Sequence, residues 1–261
     1  MNVCLSIHPT VARRFPDVLV GYLHVEGLRR FALPGDEIEQ LFSAARARLL
    51  EEEVSLERLT AEPRICGWRK AIESCGLQSS TYRSSPEQLA RRILKGQGIS
   101  TPIPVVNAYC AVSAKYLAPL GGYDLDRLPG MSIDLRSGQP GYDRFSPLGA
   151  RPEDMPITED VVLYASGREV LCWAFNHRDS RATCLTTETD KAIFVGEAVT
   201  PEQHSGLREA LHELSSVLSS AGVQVDRAEF IDHRSLDIPI EARRCDRVRQ
   251  PPFQAIHDRL V

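Results

Sequence analysis

The sequence contains no CxxC pair and no histidine set at zinc-ligand spacing from a cysteine, although it holds seven cysteines, Cys4, Cys66, Cys75, Cys110, Cys172, Cys184 and Cys245. Zinc ribbons, fingers and a disulfide framework are thereby excluded on pattern, and most of these thiols are expected to be reduced, half-buried hydrophobes. No stretch approaches the roughly 20 apolar residues that a spanning helix needs, and the opening MNVCLSIHPTVARR has no apolar leader core. The expected setting is the cytoplasm, away from membranes. A P-loop is missing, so the usual ATP cradle is missing too, and there is no Gly-x-Ser-x-Gly elbow. Internal repeats and low-complexity segments are also lacking. Excess positive charge is absent: Lys and Arg number 31 against 35 Asp and Glu, a formal charge of -4. That balance argues against a surface that coats long polyanions, DNA included, but leaves room for a local basic patch.

What is present is an ordinary folding composition, 43% hydrophobic and 25% charged. The residue pattern predicts a strand over 17–25, then a helix from Asp36 to about Glu52 with Ile38, Leu41, Phe42, Ala45 and Leu49 on one face. Further helical pieces are expected around Trp68, from Pro86 behind Ser84 or Ser85, over Val105 to Leu117, and from Thr200 to Gly222 with Leu207, Leu211, Leu214 and Leu218 as its stripe. Short strands are expected at Met131–Leu135, Val161–Tyr164, Val170–Phe175 and within 223–231, and Arg243–Arg249 reads as a basic tail. The expected fold class is α+β: mostly antiparallel sheets, as a sandwich or open barrel, with helices packed outside. An amino-terminal segment (1–60), a core (61–225) and a carboxy-terminal strand and tail (226–261) are expected to form one unit.

The stretch from Leu89 to Arg136, LARRILKGQGISTPIPVVNAYCAVSAKYLAPLGGYDLDRLPGMSIDLR, carries a specific arrangement. Gly98-Ile99, Pro104-Val105-Val106-Asn107, Pro119-Leu120-Gly121-Gly122-Tyr123-Asp124 and Gly130 follow in the order found in the editing domain of the bacterial phenylalanyl-tRNA synthetase beta subunit. The chain resembles that B3/B4 module and, more closely, its free-standing relatives. Leu171 to Phe194 is similar to the second motif of those relatives. Two departures are visible. Gly121 stands where the synthetase has histidine, and Asn176-His177-Arg178-Asp179 lacks a glutamate that the synthetase carries nearby. Specificity for tyrosine mischarged on phenylalanine tRNA is therefore not carried over.

The resemblance implies a trans-editing hydrolase that deacylates mischarged aminoacyl-tRNA without cofactor or metal, with the tRNA acceptor end as partner. Ester hydrolysis needs a side-chain cavity, donors for the developing oxyanion and a positioned water; a covalent nucleophile is not required. Arg178, Asp179 and Asn176 are the candidate catalytic group, in the densest polar cluster of the chain and behind an apolar strand. Candidate substrate contacts are Asn107, Gly121, Gly122, His177 and Tyr109. Arg91, Arg92 and Lys95, at helical spacing, are the candidate tRNA face, which Arg69 and Lys70 could join. For several of these a plainer reading stands beside the functional one: the glycine pair as a helix terminator, Asn107 as a cap, Tyr109 as core, and Arg178-Asp179 as a surface ion pair. Two other functions are open on the same residues, an aminoacyl-tRNA-dependent transferase and a non-catalytic module that binds charged tRNA or an amino acid.

Overall fold

Proline opens most of the helices in this chain. A computed structural model describes residues 3–130, 132–232 and 237–240; Met131 and the basic stretch Arg243–Arg249 lie outside the described residues. In chain order the elements are β1 (Val3–Ile7), α1 (Pro9–Arg14), β2 (Leu19–Glu26), α2 (Gly35–Glu51), α3 (Pro63–Ser74), α4 (Ser85–Leu94), α5 (Pro104–Tyr116), β3 (Leu120–Asp124), β4 (Ser132–Ser137), β5 (Val162–Ser166), β6 (Glu169–Trp173), β7 (Arg178–Asp179), β8 (Lys191–Ala198), α6 (Pro201–Ser220), β9 (Gln224–Val225), β10 (Glu229–Asp232) and β11 (Asp237–Ile240). Prolines sit in the first turn of α1, α3, α4, α5 and α6, where a missing N–H costs nothing. At α6 the Gln203 side chain closes the start by accepting from the Val199 and Thr200 N–H groups at 2.8 and 3.1 Å, and its amide donates to the Arg64 carbonyl at 2.6 Å, tying α6 to α3.

Two sheets form the body. One has the order β11-β1-β4-β5-β6-β7 and the other β10-β2-β8-β3, with β9 added on β2. All pairings are antiparallel except β1 with β4. The α+β expectation is met, with a sandwich and no closed barrel. Leu5, Ile7, Ile133, Leu135 and Tyr164 of the first sheet pack against Val20, Tyr22, Ile193 and Val195 of the second. Phe15, Trp68 and Phe175 fill one end of this layer, edge to face at 5.1 and 5.5 Å. The back of the second sheet is covered by α5 and α6, whose Leu207, Leu211, Leu214 and Leu218 are all buried. Replacing Leu211 with alanine is expected to lower unfolding free energy by about 2–5 kcal/mol, read from urea midpoints, because the site is walled by sheet and helix and has little freedom to collapse. No helix among the described residues is long and apolar enough to cross a membrane.

Three local expectations need correction. α5 is not ended by the glycine pair: Leu117 takes the left-handed conformation (φ 50°) and stops it, while Gly121 and Gly122 are extended residues of β3. The strand expected to reach Phe175 ends at Trp173, because Ala174 and Phe175 both have positive φ, 51° and 59°. The chain start, not assigned in the sequence pattern, supplies β1 and α1.

Candidate functional site

Side chains of a strand alternate between faces, and residues paired across strands share a face. On the first sheet the pairs Leu135 with Tyr164, Tyr164 with Cys172 and Cys172 with Asp179 therefore make one row that looks into the sandwich and ends at the edge strand β7. On the second sheet Gly121 pairs with Val195 and Tyr123 with Ile193, so Gly121, Tyr123 and Glu197 share the inward face, with Gly121 on edge strand β3. The two edges meet. A Cβ placed on Gly121 would lie 3.2 Å from the Tyr123 hydroxyl and 3.8 Å from an Asp179 carboxylate oxygen. Hydrogen at this position lets the Tyr123 hydroxyl and the Asp179 carboxylate lie against the β3 backbone.

On the same inward face lies Glu197, 3% exposed in the strand run AIFVGEA. Tyr164 Oη donates to its Oε2 at 3.1 Å and Asn176 Nδ2 to its Oε1 at 2.9 Å. The Asn176 Oδ1 accepts from the Ser85 backbone N–H at 3.0 Å, so one amide joins the start of α4, the β6–β7 turn and β8. That turn is strained: two successive non-glycine residues, Ala174 and Phe175, sit in the left-handed region, at a cost on the order of 1–3 kcal/mol each. The buried Phe175 ring, held between Phe15 and Trp68, offsets the cost and fixes where Asn176 and Asp179 point.

The electrostatics of this cluster are one-sided. Burial pushes the Glu197 carboxyl up to about 7, against the pull of its Asn176 and Tyr164 donors, and the nearby Asp179 charge adds to the rise. Burial also raises Asp179, with the Cys172 thiol and the Arg178 charge opposing. The Tyr109, Tyr123 and Tyr164 phenols and the Cys172 thiol are all held well above their ordinary values, first by burial and then by these carboxylates or thiols. Among the described residues no ion pair is made by either carboxylate. Two neighbouring acidic groups, Glu197 buried and Asp179 half-buried, that make no ion pair favour taking up a proton or a positively charged ligand. The arrangement therefore suits an ammonium group beside a carboxyl that burial has pushed up to about 7. Among the described residues no group of three or more His, Cys, Asp or Glu is arranged to hold a metal ion.

The sequence-derived candidates divide sharply. Asp179, Asn176 and Gly121 come together, and Tyr109, packed against Phe194 at 5.7 Å, reaches from α5 far enough to feel the Asp179 charge. Arg178 does not join them. It pairs with Trp173 and so lies on the outer face of its sheet, with Nη1 on the Leu148 carbonyl at 3.4 Å and Nε buried without a partner. His177 is a structural residue: Nδ1 meets the Arg83 carbonyl at 2.7 Å and the ring packs against Tyr82 and Trp173. Burial pushes its pKa down. Gly122 faces the helix layer, where a Cβ would come within 2.7 Å of Leu185 and 3.0 Å of Phe194. Asn107 clamps the loop before α5, accepting from the Thr101 N–H at 2.8 Å and donating to its carbonyl at 3.1 Å. It lines a separate hollow of about 570 Å³ with Phe42 and Ile99. Arg91 bonds Glu87, Arg92 reaches the Gly98 carbonyl at 3.2 Å, and Lys95 is exposed at the end of α4. Glu197, Tyr123, Tyr164 and Cys172 were not among the candidates. The one signal for them in the sequence is a lone carboxylate inside a continuous apolar strand, a charge with no route to water.

The family model of the B3/4 domain matches residues 67–230, well over half of the chain, and the chain belongs to that family. No curated protein matches it. Among solved structures, an N-terminal fragment of the phenylalanyl-tRNA synthetase beta subunit from Pyrococcus horikoshii is similar over 86% of this chain, at 16% identity and a TM-score of 0.42. The match takes in 50% of that fragment, so this chain spans about half its length.

Proposed function

We propose that this chain is a trans-editing deacylase that hydrolyses mischarged aminoacyl-tRNA. The observation that carries the reading is the Asp179–Glu197 pair beside Gly121, neither member of which makes an ion pair among the described residues. Membership of the B3/4 family and the sequence resemblance to the synthetase editing module supply the substrate class. In this scheme Asp179 accepts the α-ammonium of the aminoacyl group, which brings the ester carbonyl beside β3. Glu197, held by Asn176 and Tyr164, takes a proton from water as the water oxygen attacks that carbonyl. Tyr123, which makes no hydrogen bond among the described residues, donates to the carbonyl oxygen as it gains negative charge. The ribose oxygen then leaves with the proton, giving free amino acid and uncharged tRNA.

A panel of mischarged tRNAs incubated with the protein tests this directly. Asp179→Asn is expected to lower the first-order deacylation constant about 100-fold, equivalent to about 2.7 kcal/mol of barrier. Absence of acceleration over spontaneous hydrolysis on every member overturns the proposal. Product analysis separates the alternatives, since transfer to a small amine yields an amide, and to a small alcohol an ester, in place of free amino acid, and a binding module yields neither.

A further inference from the structure

One buried carboxylate in this molecule serves three arginines. The Glu87 side chain is fully buried in the first turn of α4; Arg69 Nη1 donates to both its oxygens at 2.9 and 3.0 Å, and Arg91 Nε and Nη2 donate to Oε1 at 3.1 and 3.0 Å. Arg83 lies 3.6 Å from the same oxygen, and its Nε is buried without a hydrogen bond. None of the three has another acidic partner among the described ion pairs, so three positive charges against one negative leave the group at +2. Each guanidinium carries five N–H donors in a rigid fork, far more than one carboxylate absorbs. The surplus is accessible: the Arg69, Arg83 and Arg91 side chains are 21, 43 and 31% exposed. Glu87 gathers the three forks and so presents a preformed anion receptor.

We infer that Arg69, Arg83 and Arg91, gathered on Glu87, bind phosphate of a single-stranded RNA end. The inference rests on the deacylase reading for the identity of the RNA, and deepens it by naming where the strand is held. Planar forks grip phosphate oxygens in pairs, which a lysine face does not do. The position is the second argument. Arg83 offers its carbonyl to His177, and two residues on the Ser85 N–H holds Asn176, which holds Glu197. The fan thus stands at the same end of the sandwich as the carboxylate pair, where the phosphates next to an aminoacylated terminal ribose would pass. At the start of α4, a ten-residue helix, the fully buried Ser84 hydroxyl is also without a partner, in a place favourable to negative charge.

The test is binding of an uncharged acceptor-stem minihelix with a single-stranded CCA end, followed by fluorescence anisotropy across a salt series with the full chain. Arg83→Gln, which breaks no hydrogen bond to Glu87, is expected to weaken binding about 5- to 10-fold at low salt and to reduce the slope of log K against log salt by about 0.7. Lys191→Gln, an equal charge change at the other end of β8, is expected to leave both within twofold. Arg91→Gln serves as the second variant if Arg83→Gln melts early. An unchanged slope in a folded Arg83→Gln or Arg91→Gln protein overturns the site, as does displacement of the RNA by polyglutamate as efficiently as by unlabelled RNA, which would make it a receptor for acidic protein. Deacylation by the wild type is read separately. Turnover with an unaltered slope sinks this site alone, and a reduced slope without turnover on any tRNA leaves this site standing and sinks the editing reading.

Discussion

Glu197→Gln is expected to abolish deacylation and, at alkaline pH, to make the protein more stable. A carboxyl held at about 7 in the fold and near 4.5 in the unfolded chain binds its proton more tightly when folded. Its contribution to stability is fully present below about pH 4.5, is lost as pH rises towards 7, and stays lost above that. The whole span amounts to at most about 3 kcal/mol. Glutamine removes the titration and keeps the contacts: its carbonyl accepts from Asn176, and its amide donates to the Tyr164 oxygen after that hydroxyl rotates. Urea unfolding should therefore give matching midpoints for wild type and variant at pH 4.5, and at pH 8 an advantage for the variant of about 1–3 kcal/mol. Deacylation should fall by about 10²–10⁴-fold, the range for a removed general base, and the wild-type rate should climb with pH through about 7 as the base ionises. Both results together would mark Glu197 as a group kept for its chemistry at a cost in stability. Parallel pH–stability curves for the two proteins would remove Glu197 from the scheme.

The adjacent glycines give the second large effect, in opposite directions. Gly121→Ala puts a methyl group against the Tyr123 hydroxyl and the Asp179 carboxylate, displacing both. The expected outcome is a loss of about 100-fold in kcat/KM, about 2.7 kcal/mol, with unfolding free energy lowered by no more than about 1 kcal/mol, since only side-chain ends must give. Gly122→Ala faces the helix layer, where Leu185 and Phe194 leave no space, and it is expected to destabilise by about 1–3 kcal/mol while folded molecules keep their activity. Equal losses of activity and stability at both positions would show that Gly121 serves packing and not the site.

Much of the scaffold is legible in the residues because local chemistry specifies it. Pro86, Pro104 and Pro201 mark helix starts through their fixed φ, and the leucines of α6 recur at the spacing that buries one face. The polar cluster 176–179 is legible as a candidate from its density behind an apolar strand. Which of its members faces the sandwich interior is not, since the turn at Ala174-Phe175 shortens β6 and sets the register that turns Asp179 inward and Arg178 outward. Glu197 escapes a residue-by-residue reading because its partners Tyr164 and Asn176 lie 33 and 21 positions away in the chain. The basic face is displaced for a similar reason. Arg91 was legible from helical spacing and Arg69 as a basic residue that could join it, but Arg83 and the buried Glu87 that gathers all three were not.

By itself, the sequence determined the proline-marked starts of α4, α5 and α6, the α+β class and the family motif from Gly98 to Gly130, because each depends on contacts or dihedral preferences within a turn or two of the chain. Only the tertiary structure decided that Gly121 and Asp179 stand on two sheet edges that converge, that Glu197 is buried between them, and that three arginines share one carboxylate. Those outcomes depend on strand register and sheet packing, where a shift of one residue reverses every side chain from one face to the other.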